Sequence, residues 1–540
     1  MQAAVPAARS GERSSYKWIV AFVVIFGMFA SIMDATIVNV AIPHLQSAFG
    51  GSLTTVQWVL TGYSLAQAVA TPLTAYLAAR LGTKRLYLIA LAIFTLFSAL
   101  CGLAWSLPAL IFSRILQGAG GAFLGPISIT LLYSVFPPEE RGRAQGLLGI
   151  PILFAPALGP TLGGYLITFV DWRLIFYINV PVGITGIILG SLFLREIHQE
   201  PFAHFDWPGF ILAALGLASI LYAFTRVSTD GWGSTTVLVL IGVGLIALTL
   251  FALVELETID RGRQPLLDLR VLADRAFSQS QLATSVVFFI LMGGMFLVPL
   301  YLQNLRGLSA FQTGLLLFPQ ALASVVFALA GGVLVDKFGT KAVVLPGLLL
   351  LIFPVWELSH VTTNTPYGWF QILLIMRGLE LGLVAQPLAR AALLRIPRQQ
   401  LTQASSLMTV MRFVTSSLAT ALLSTYLQTR QSTHYTNLAL QVVPGTPMGQ
   451  LITGIQAFLQ TRGMDPISAH NAAILEIIQV VQRQAYGLAL QDGFRLGLWI
   501  IIPAFFAVLL LPKELRRKKL AGEPKAQKAS EEAPMPVMEF

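Results

Sequence analysis

Charge is scarce in this chain of 540 residues: 11% are Asp, Glu, Lys or Arg, whereas 55% are apolar. That ratio leaves too little polar surface to solvate a water-soluble fold of this size. Cysteine is scarcer still. The single Cys101 excludes an intrachain disulfide framework and a cysteine-based metal site, and it leaves the redox compartment undetermined. The six histidines are dispersed. With neither an H-E-x-x-H pair nor a G-x-x-x-x-G-K-[ST] loop, zinc and ATP chemistry have no motif to act through. No catalytic residue, metal or cofactor is nominated.

What the chain has in abundance is long apolar runs. Runs of about 20 residues recur from Trp18 to near Leu511, enough to cross a hydrocarbon core of about 30 Å at 1.5 Å per residue. The first run is too long for a signal-peptide core and carries Asp34, so it reads as a span. With Pro, Gly and charge clusters as boundaries, spans fall at roughly 18–43, 54–79, 86–106, 107–133, 143–169 and 175–194. Two follow at roughly 207–226 and 235–255. The last six lie at roughly 277–304, 311–335, 342–361, 367–393, 403–428 and 493–512.

The formal net charge of +10 suggests nucleic acid until the charges are placed. Fourteen spans put both termini on one side, and 25 of the 35 Lys and Arg residues fall on that side. Six lie opposite, namely Arg173, Arg226, Arg306, Arg430, Arg462 and Arg483, and Arg114, Arg377, Arg412 and Arg495 fall within or at the edge of spans. Because cytoplasmic loops retain positive charge, the split predicts cytoplasmic termini in a multi-pass protein of the cell (inner) membrane. A miscount of one helix would scramble it.

The chain also resembles itself. Leu77-Ala78-Ala79-Arg80-Leu81-Gly82-Thr83-Lys84 recurs as Leu334-Val335-Asp336-Lys337-Phe338-Gly339-Thr340-Lys341, 257 residues later. Arg114-Ile115-Leu116-Gln117 is echoed by Arg377-Gly378-Leu379-Glu380 at an offset of 263. The offsets pair span 2 with 10 and span 4 with 12, giving two six-helix bundles with two helices inserted between them. The expected divisions are a tail over 1–17, a bundle over 18–200, the insertion over 201–275, a second bundle over 276–512 with an outer segment 429–492, and a basic tail over 513–540.

This layout resembles the fourteen-spanner drug:proton antiporters of the major facilitator superfamily, the EmrB/QacA-like group. Span 1 is similar to that group's first signature over Asp34-Ala35-Thr36-Ile37-Val38-Asn39-Val40-Ala41-Ile42-Pro43, and span 4 to its second in Arg114, Gln117, Gly118, Gly120 and Pro126. Span 5 resembles the antiporter motif in Gly149, Pro156, Gly159, Pro160, Gly163 and Gly164, followed by Asp171-Trp172-Arg173 and Ile178-Asn179-Val180-Pro181. Further matches are Pro299 to Gln303 and Gly314 to Pro319. The chain departs from the superfamily at Ala79, where the first loop usually carries an acid; Asp336 keeps it in the second half. The resemblance implies a major facilitator fold and proton-driven export of drugs or amphiphiles by alternating access.

An ionisable group in hydrocarbon costs about 3 kcal/mol or more, which makes each one a functional candidate. Asp34 and Glu380 lie mid-span, where a desolvated carboxylate can exchange protons. In the resembling superfamily the equivalents of spans 1, 4, 9 and 12 line the central cavity, which would bring Asp34, Arg114 and Glu380 to one aqueous pathway. The competing reading of Glu380 is a static pair with Arg377, one turn away. Arg114 with Gln117, and more vaguely Arg412, complete the coupling candidates. For Arg114 the alternative is snorkelling to the outer interface. The span 5 glycines permit close packing, and in the antiporters this motif is associated with sealing the pathway against leakage. Arg80, Gly82 and Lys84, with Asp336, Lys337 and Gly339, are the candidate cytoplasmic gating loops, or else solvated loop residues.

The expected partners are a lipophilic or amphiphilic small molecule, protons and membrane lipids, but no nucleic acid. Ala472 to Gln491 has a helical apolar pattern that can lie on the membrane or cap the pathway, and the outer segment is a candidate dock for a periplasmic adaptor. The Lys and Arg residues from Lys513 to Lys519 suit anionic lipid. Export of one endogenous compound (a lipid, siderophore or antibiotic) stays open, as does a non-transporting membrane sensor.

Overall fold

The computed structural model describes residues 10–197, 205–442 and 446–511. The linker before span 7 and the basic tail from 513 lie outside them. Among the described residues all regular structure is helical, as backbone in hydrocarbon requires when every N–H and C=O must be satisfied within its own segment. Thirteen helices are each long and apolar enough to cross a membrane. The first six-helix set contributes α1 (Tyr16–Phe49), α3 (Thr83–Gly102), α4 (Leu107–Val135), α5 (Pro138–Phe169) and α6 (Leu174–Phe193). Then come α7 (Trp207–Asp230) and α8 (Thr235–Asp260). The second set holds α9 (Arg275–Leu305), α10 (Ala310–Phe338), α11 (Thr340–Leu358), α12 (Tyr367–Leu393), α13 (Leu401–Ala439) and α14 (Pro466–Leu510).

The fourteenth element, α2, is interrupted. It runs over Trp58–Ala70, tightens into a 3₁₀ turn at Thr71–Leu73 and resumes over Thr74–Leu81. Pro72, with no N–H to give the ladder, breaks a segment that is otherwise long enough to span. Prolines act similarly in α5, where a π-helical turn over Ile150–Phe154 contains Pro151 and is followed by Pro156. Short polar residues start many helices: Asp274 accepts from Phe277 N–H at 2.8 Å to open α9, and Ser309 with Gln312 forms a capping box on α10.

The sequence repeat is a packing repeat. In the first set α1 packs on α4, α5 and α6, α2 on α4, and α3 on α4 and α6. In the second set α9 packs on α12, α13 and α14, α10 on α12, and α11 on α12 and α14. The two sets meet along two seams, α5 against α10 and α12, and α13 against α4 and α2, with the α7–α8 pair seated over α2 and α13 through α7.

Loops cluster as an even number of crossings requires. Lys17 reaches Glu140 at 2.5 Å, Arg143 N–H donates to Asp336 and Lys341 Nζ donates to Leu509 O. Those residues border the N-terminal end of α1, both ends flanking α4–α5, the α10–α11 turn and the C-terminal end of α14. On the opposite face Arg173 bonds Gly102 O and Arg306 bonds Thr365 O.

The largest departure from the sequence reading is on that second face. The segment 472–491, expected to lie on the membrane or cap the pathway, instead continues without a break into the last span. The resulting helix α14 has 45 residues, a length of about 67 Å, more than twice a hydrocarbon core. With α13 at 39 residues and a further helix over Pro447–Thr461 packed on α14, it builds a helical projection beyond the bundle. Asp492 locks its base, accepting from Arg430 Nε at 2.5 Å, lying 2.8 Å from His434 Nε2 and pairing with Arg495.

Candidate functional site

Asp34 sits on α1 with no solvent exposure, so its charge must be balanced inside the protein. Its Oδ2 accepts from Arg114 Nη1 of α4 at 2.5 Å, and its Oδ1 accepts from Gln117 Nε2 at 3.0 Å and from Asn179 Nδ2 of α6 at 2.7 Å. The i, i+3 spacing of Arg114 and Gln117 puts both on one face of α4, where Arg114 Nη1 also donates to Gln117 Oε1 at 2.8 Å. Arg114 Nε donates to Val59 O on α2 at 3.1 Å, and the guanidinium lies 4.0 Å from the Tyr63 ring centroid. Asn179 Nδ2 donates in turn to Ser98 Oγ on α3 at 3.1 Å. Five helices of the first set therefore converge on one buried carboxylate.

Two atoms of this network remain without a partner, Arg114 Nη2 and Asn179 Oδ1. The network is also joined to a second polar group, since Tyr63 donates through its hydroxyl to Ser31 O at 3.1 Å and accepts from Gln67 Nε2 at 3.0 Å. The alternative of Arg114 snorkelling toward the interface is not what forms, because its side chain is fully buried and bonds Asp34.

The second set is built differently. Glu380 on α12 is also without solvent exposure, yet neither of its carboxylate oxygens has a hydrogen-bond partner among the described residues. Arg377 does not close a salt bridge with it. It donates from Nη2 to Ile290 O on α9 at 2.8 Å, packs against Gly294, and lines a small cavity of about 30 Å³. The static-pair alternative is thus not what forms. Arg412 stands apart from both groups, its guanidinium 5.5 Å from the Phe288 ring on α9. Asp34, Arg114 and Gln117 are brought together, whereas Glu380 shares no hydrogen bond with them, and in this conformation Asp34, Arg114 and Glu380 are all buried rather than set along an open channel.

The glycines of α5 form the seam with α10. A methyl group at Gly146 would stand 2.7 Å from Ala328 O, and one at Gly149 would stand 2.6 Å from the Ala328 Cβ. Further along, Gly159 and Gly163 face Thr36 and Ile37 of α1, while Gly164 lies against Phe311 of α10. Pro156 and Pro160 sit inside this contact run, next to the π-helical turn. Close backbone approach of this kind needs residues without side chains.

The loop repeats also diverge. Asp336 accepts from the backbone N–H of Gly142 at 2.9 Å and of Arg143 at 3.1 Å, and Arg390 lies 3.5 Å away. It thereby caps the first turn of α5 from the other set, where exposed N–H groups and the helix dipole favour an anion. Beside it, Tyr133 donates to Gln145, whose Nε2 donates to Gln386 of α12 at 3.0 Å. In the first set the position equivalent to Asp336 is Ala79, and the loop is held from within: Glu196 accepts from Lys84 and Arg85 N–H, Lys84 Nζ donates to Ser191 O, and Arg80 bonds Tyr76. Gly82 and Gly339 both adopt positive φ, 92° and 86°, which only glycine takes without strain. Lys337 lies on the last turn of α10, beside Asp336.

Sequence reasoning missed four participants. Asn179 was visible only as part of a motif, and Gln145, Gln386 and Arg390 carry no spacing signal because their partners lie on other helices. Glu255 on α8 also went unnoticed at a span boundary. It has no solvent exposure, one oxygen accepting from Leu267 N–H at 3.4 Å and the other without a partner.

Among the described residues, two repeated six-helix sets with an inserted helix pair and an ion pair buried at mid-depth make the architecture of a multi-pass membrane transporter. A profile of the Major Facilitator Superfamily matches residues 24–420, and the chain belongs to that family. It is 35% identical over 417 residues to the uncharacterized MFS-type transporter YhcA of Bacillus subtilis, covering 77% of this chain and 78% of that protein. It is 31% identical over 433 residues to the multidrug export protein EmrB of Haemophilus influenzae, covering 78% of this chain and 82% of EmrB. It is 30% identical to the lincomycin resistance protein LmrB of Listeria monocytogenes, covering 79% and 90%. Among solved structures, the human organic anion transporter MFSD10 superposes with a TM-score of 0.55 at 14% identity, over 90% of this chain and 99% of that one. The proton:xylose symporter XylE superposes with a TM-score of 0.52 at 14% identity, over 93% and 97%. These low-identity likenesses concern the fold.

Proposed function

We propose that this transporter exports lipophilic or amphiphilic small molecules, drugs among them, in exchange for protons, by alternating access between the bundles 18–200 and 276–512. Both termini then face the cytoplasm of a cell membrane, which the skew of Lys and Arg toward one set of loops supports. Relatives named for multidrug export and lincomycin resistance support the substrate class.

The observation that carries the coupling is the buried Asp34 carboxylate held by Arg114, Gln117 and Asn179. In this reading a proton on Asp34 and the ion pair to Arg114 exclude each other, which is the competition that a coupled cycle needs. Glu380 supplies a second buried carboxylate, with no hydrogen-bond partner among the described residues, that an opening pathway would reach. Asp336 and the α5 seam hold the cytoplasmic side shut in the complementary state.

The test is flux in proteoliposomes. Wild-type protein should accumulate a fluorescent amphiphile against its gradient when an outward proton gradient (acidic lumen) is imposed, and Asp34→Asn and Glu380→Gln should each lower that flux at least roughly tenfold, a change of about 1.4 kcal/mol in the coupled step. Undiminished flux in both variants would remove these carboxylates from the mechanism. Flux of one compound only, across a panel of unrelated amphiphiles, would favour a dedicated exporter.

A further inference from the structure

A cavity of about 820 Å³ lies on the face that carries the Lys17–Glu140 and Asp336–Arg143 contacts, away from the buried carboxylates. Four guanidinium groups line it, from Arg195 after α6, Arg263 and Arg270 in the loop after α8, and Arg398 before α13. The only acidic side chain in the lining among the described residues is Asp268. It is buried and already engaged, accepting from Arg270 Nε and Nη2, both at 2.9 Å, and from Gln400 Nε2 at 3.1 Å. Arg263 and Arg398 have no ion-pair partner among the described residues. Among the described residues the wall thus carries a surplus of positive charge.

The cavity is built rather than incidental. Asp268 bonds Gln400, and Gln403 Nε2 donates to Pro265 O at 3.2 Å, so the loop that carries Arg263 and Arg270 is fastened to the start of α13 beside Arg398. On the opposite wall Tyr16 accepts from Arg195 N–H at 3.0 Å, and the Arg195 guanidinium lies 4.6 Å from its ring centroid. At the inner end, Thr130 of α4 meets Thr402 of α13 at 3.1 Å, closing the seam between the two sets. A guanidinium presents a planar fork of donors that matches phosphate oxygens, and several converging on one volume of this size suit an oxyanion with some bulk attached.

We propose that this cavity is a binding site for a phosphate-bearing oxyanion, best matched by the headgroup of an acidic phospholipid. Its walls come from the first set, the insertion loop and the second set together, so it has this shape only while α4 and α13 are apposed. A bound anion bridging Arg195 and Arg398 therefore stabilises the arrangement closed on this face, which takes up the alternating-access reading given above. Through the insertion loop, the α7–α8 pair acquires a role: it supplies two of the four arginines.

Binding is measured without any gradient, so failure of the export assay and failure of this site are separable. Purified full-length protein in a zwitterionic detergent is titrated with dihexanoyl phosphatidylglycerol, dihexanoyl phosphatidylcholine and inorganic phosphate, read by native mass spectrometry and by the rise in Tm. The expected result is retention of the phosphatidylglycerol over the phosphatidylcholine, with an affinity falling at least about tenfold in the Arg263→Gln/Arg398→Gln double variant. The Arg263→Lys/Arg398→Lys variant should keep part of it. Both arginines are exposed, so these variants should fold. Competition by inorganic phosphate alone at comparable concentration would assign the site to a free anion of the same chemistry. Equal retention of the two lipids by the wild type, or an undiminished preference in the Gln double variant, would overturn the proposal.

Discussion

The two six-helix sets share a packing plan but treat their buried charge in opposite ways. In the first set Asp34 is surrounded by Arg114, Gln117 and Asn179, and the arginine turns toward the acid. In the second, the residue equivalent to Gln117 is Glu380, the equivalent arginine Arg377 turns away to Ile290 O, and the acid has no partner. Counting back by the repeat offsets of 257 and 263, α9 has leucine, Leu291 or Leu297, where α1 has Asp34. The duplicated scaffold thus keeps a mid-span carboxylate in each set but moves it from the first helix of the set to the fourth, leaving one site locked and the other bare. A repeat preserves helix packing, which depends on apolar shape, more faithfully than it preserves polar partnerships, which depend on single atoms.

That contrast can be broken experimentally, beginning with the largest effect. Arg114→Leu strands Asp34 as a buried unpaired charge and should destabilise the protein by about 3–5 kcal/mol, read as a large fall in Tm and in detergent-stable yield. The equivalent change Arg377→Leu removes one hydrogen bond to a backbone carbonyl and no ion pair, so its cost should be smaller, about 1–3 kcal/mol. Equal losses would mean that the two sets are energetically alike after all. Asp34→Asn leaves the Arg114 cation without its counter-charge, so it should lower both stability and flux, whereas Glu380→Gln, which breaks no hydrogen bond, should lower flux with Tm nearly unchanged.

Two smaller tests sharpen the same comparison at the seams. Gly146→Ala drives a methyl group against the Ala328 carbonyl and should cost about 1–3 kcal/mol through overpacking of α5 on α10, measurable by thermal unfolding. Asp336→Asn keeps the shape of the α5 cap but removes its charge. It should cost about 1 kcal/mol and increase labelling of a cysteine placed near Gly142 from the face that carries the α10–α11 turn, as the seam opens more often.

Much of the scaffold was legible beforehand because hydrocarbon imposes a simple rule on composition. Every expected span corresponds to a helix, although α2 is broken at Pro72, α1 runs on to Phe49, and α13 and α14 continue far beyond their apolar stretches. Hydropathy stops where the bilayer would stop, whereas a helix stops only where its backbone hydrogen bonds do, which is why Ala472 to Gln491 merged into the last span. The site was half legible. Asp34, Glu380 and Arg114 stood out as charges in apolar runs, but Asn179, Gln386 and Glu255 did not, because an amide in a span or an acid at a span end is unremarkable by composition.

Sequence alone determined that this chain is a helical membrane protein, duplicated, with an inserted helix pair and few buried charges, since each of these is a property of local hydropathy and self-similarity. Only the tertiary structure decided which charge meets which. Arg377 lies one turn from Glu380 and yet bonds a different helix, and Asp34 draws partners from residues 114, 117 and 179. Such pairing depends on side-chain direction across helix contacts, a relation that spacing along one helix does not contain.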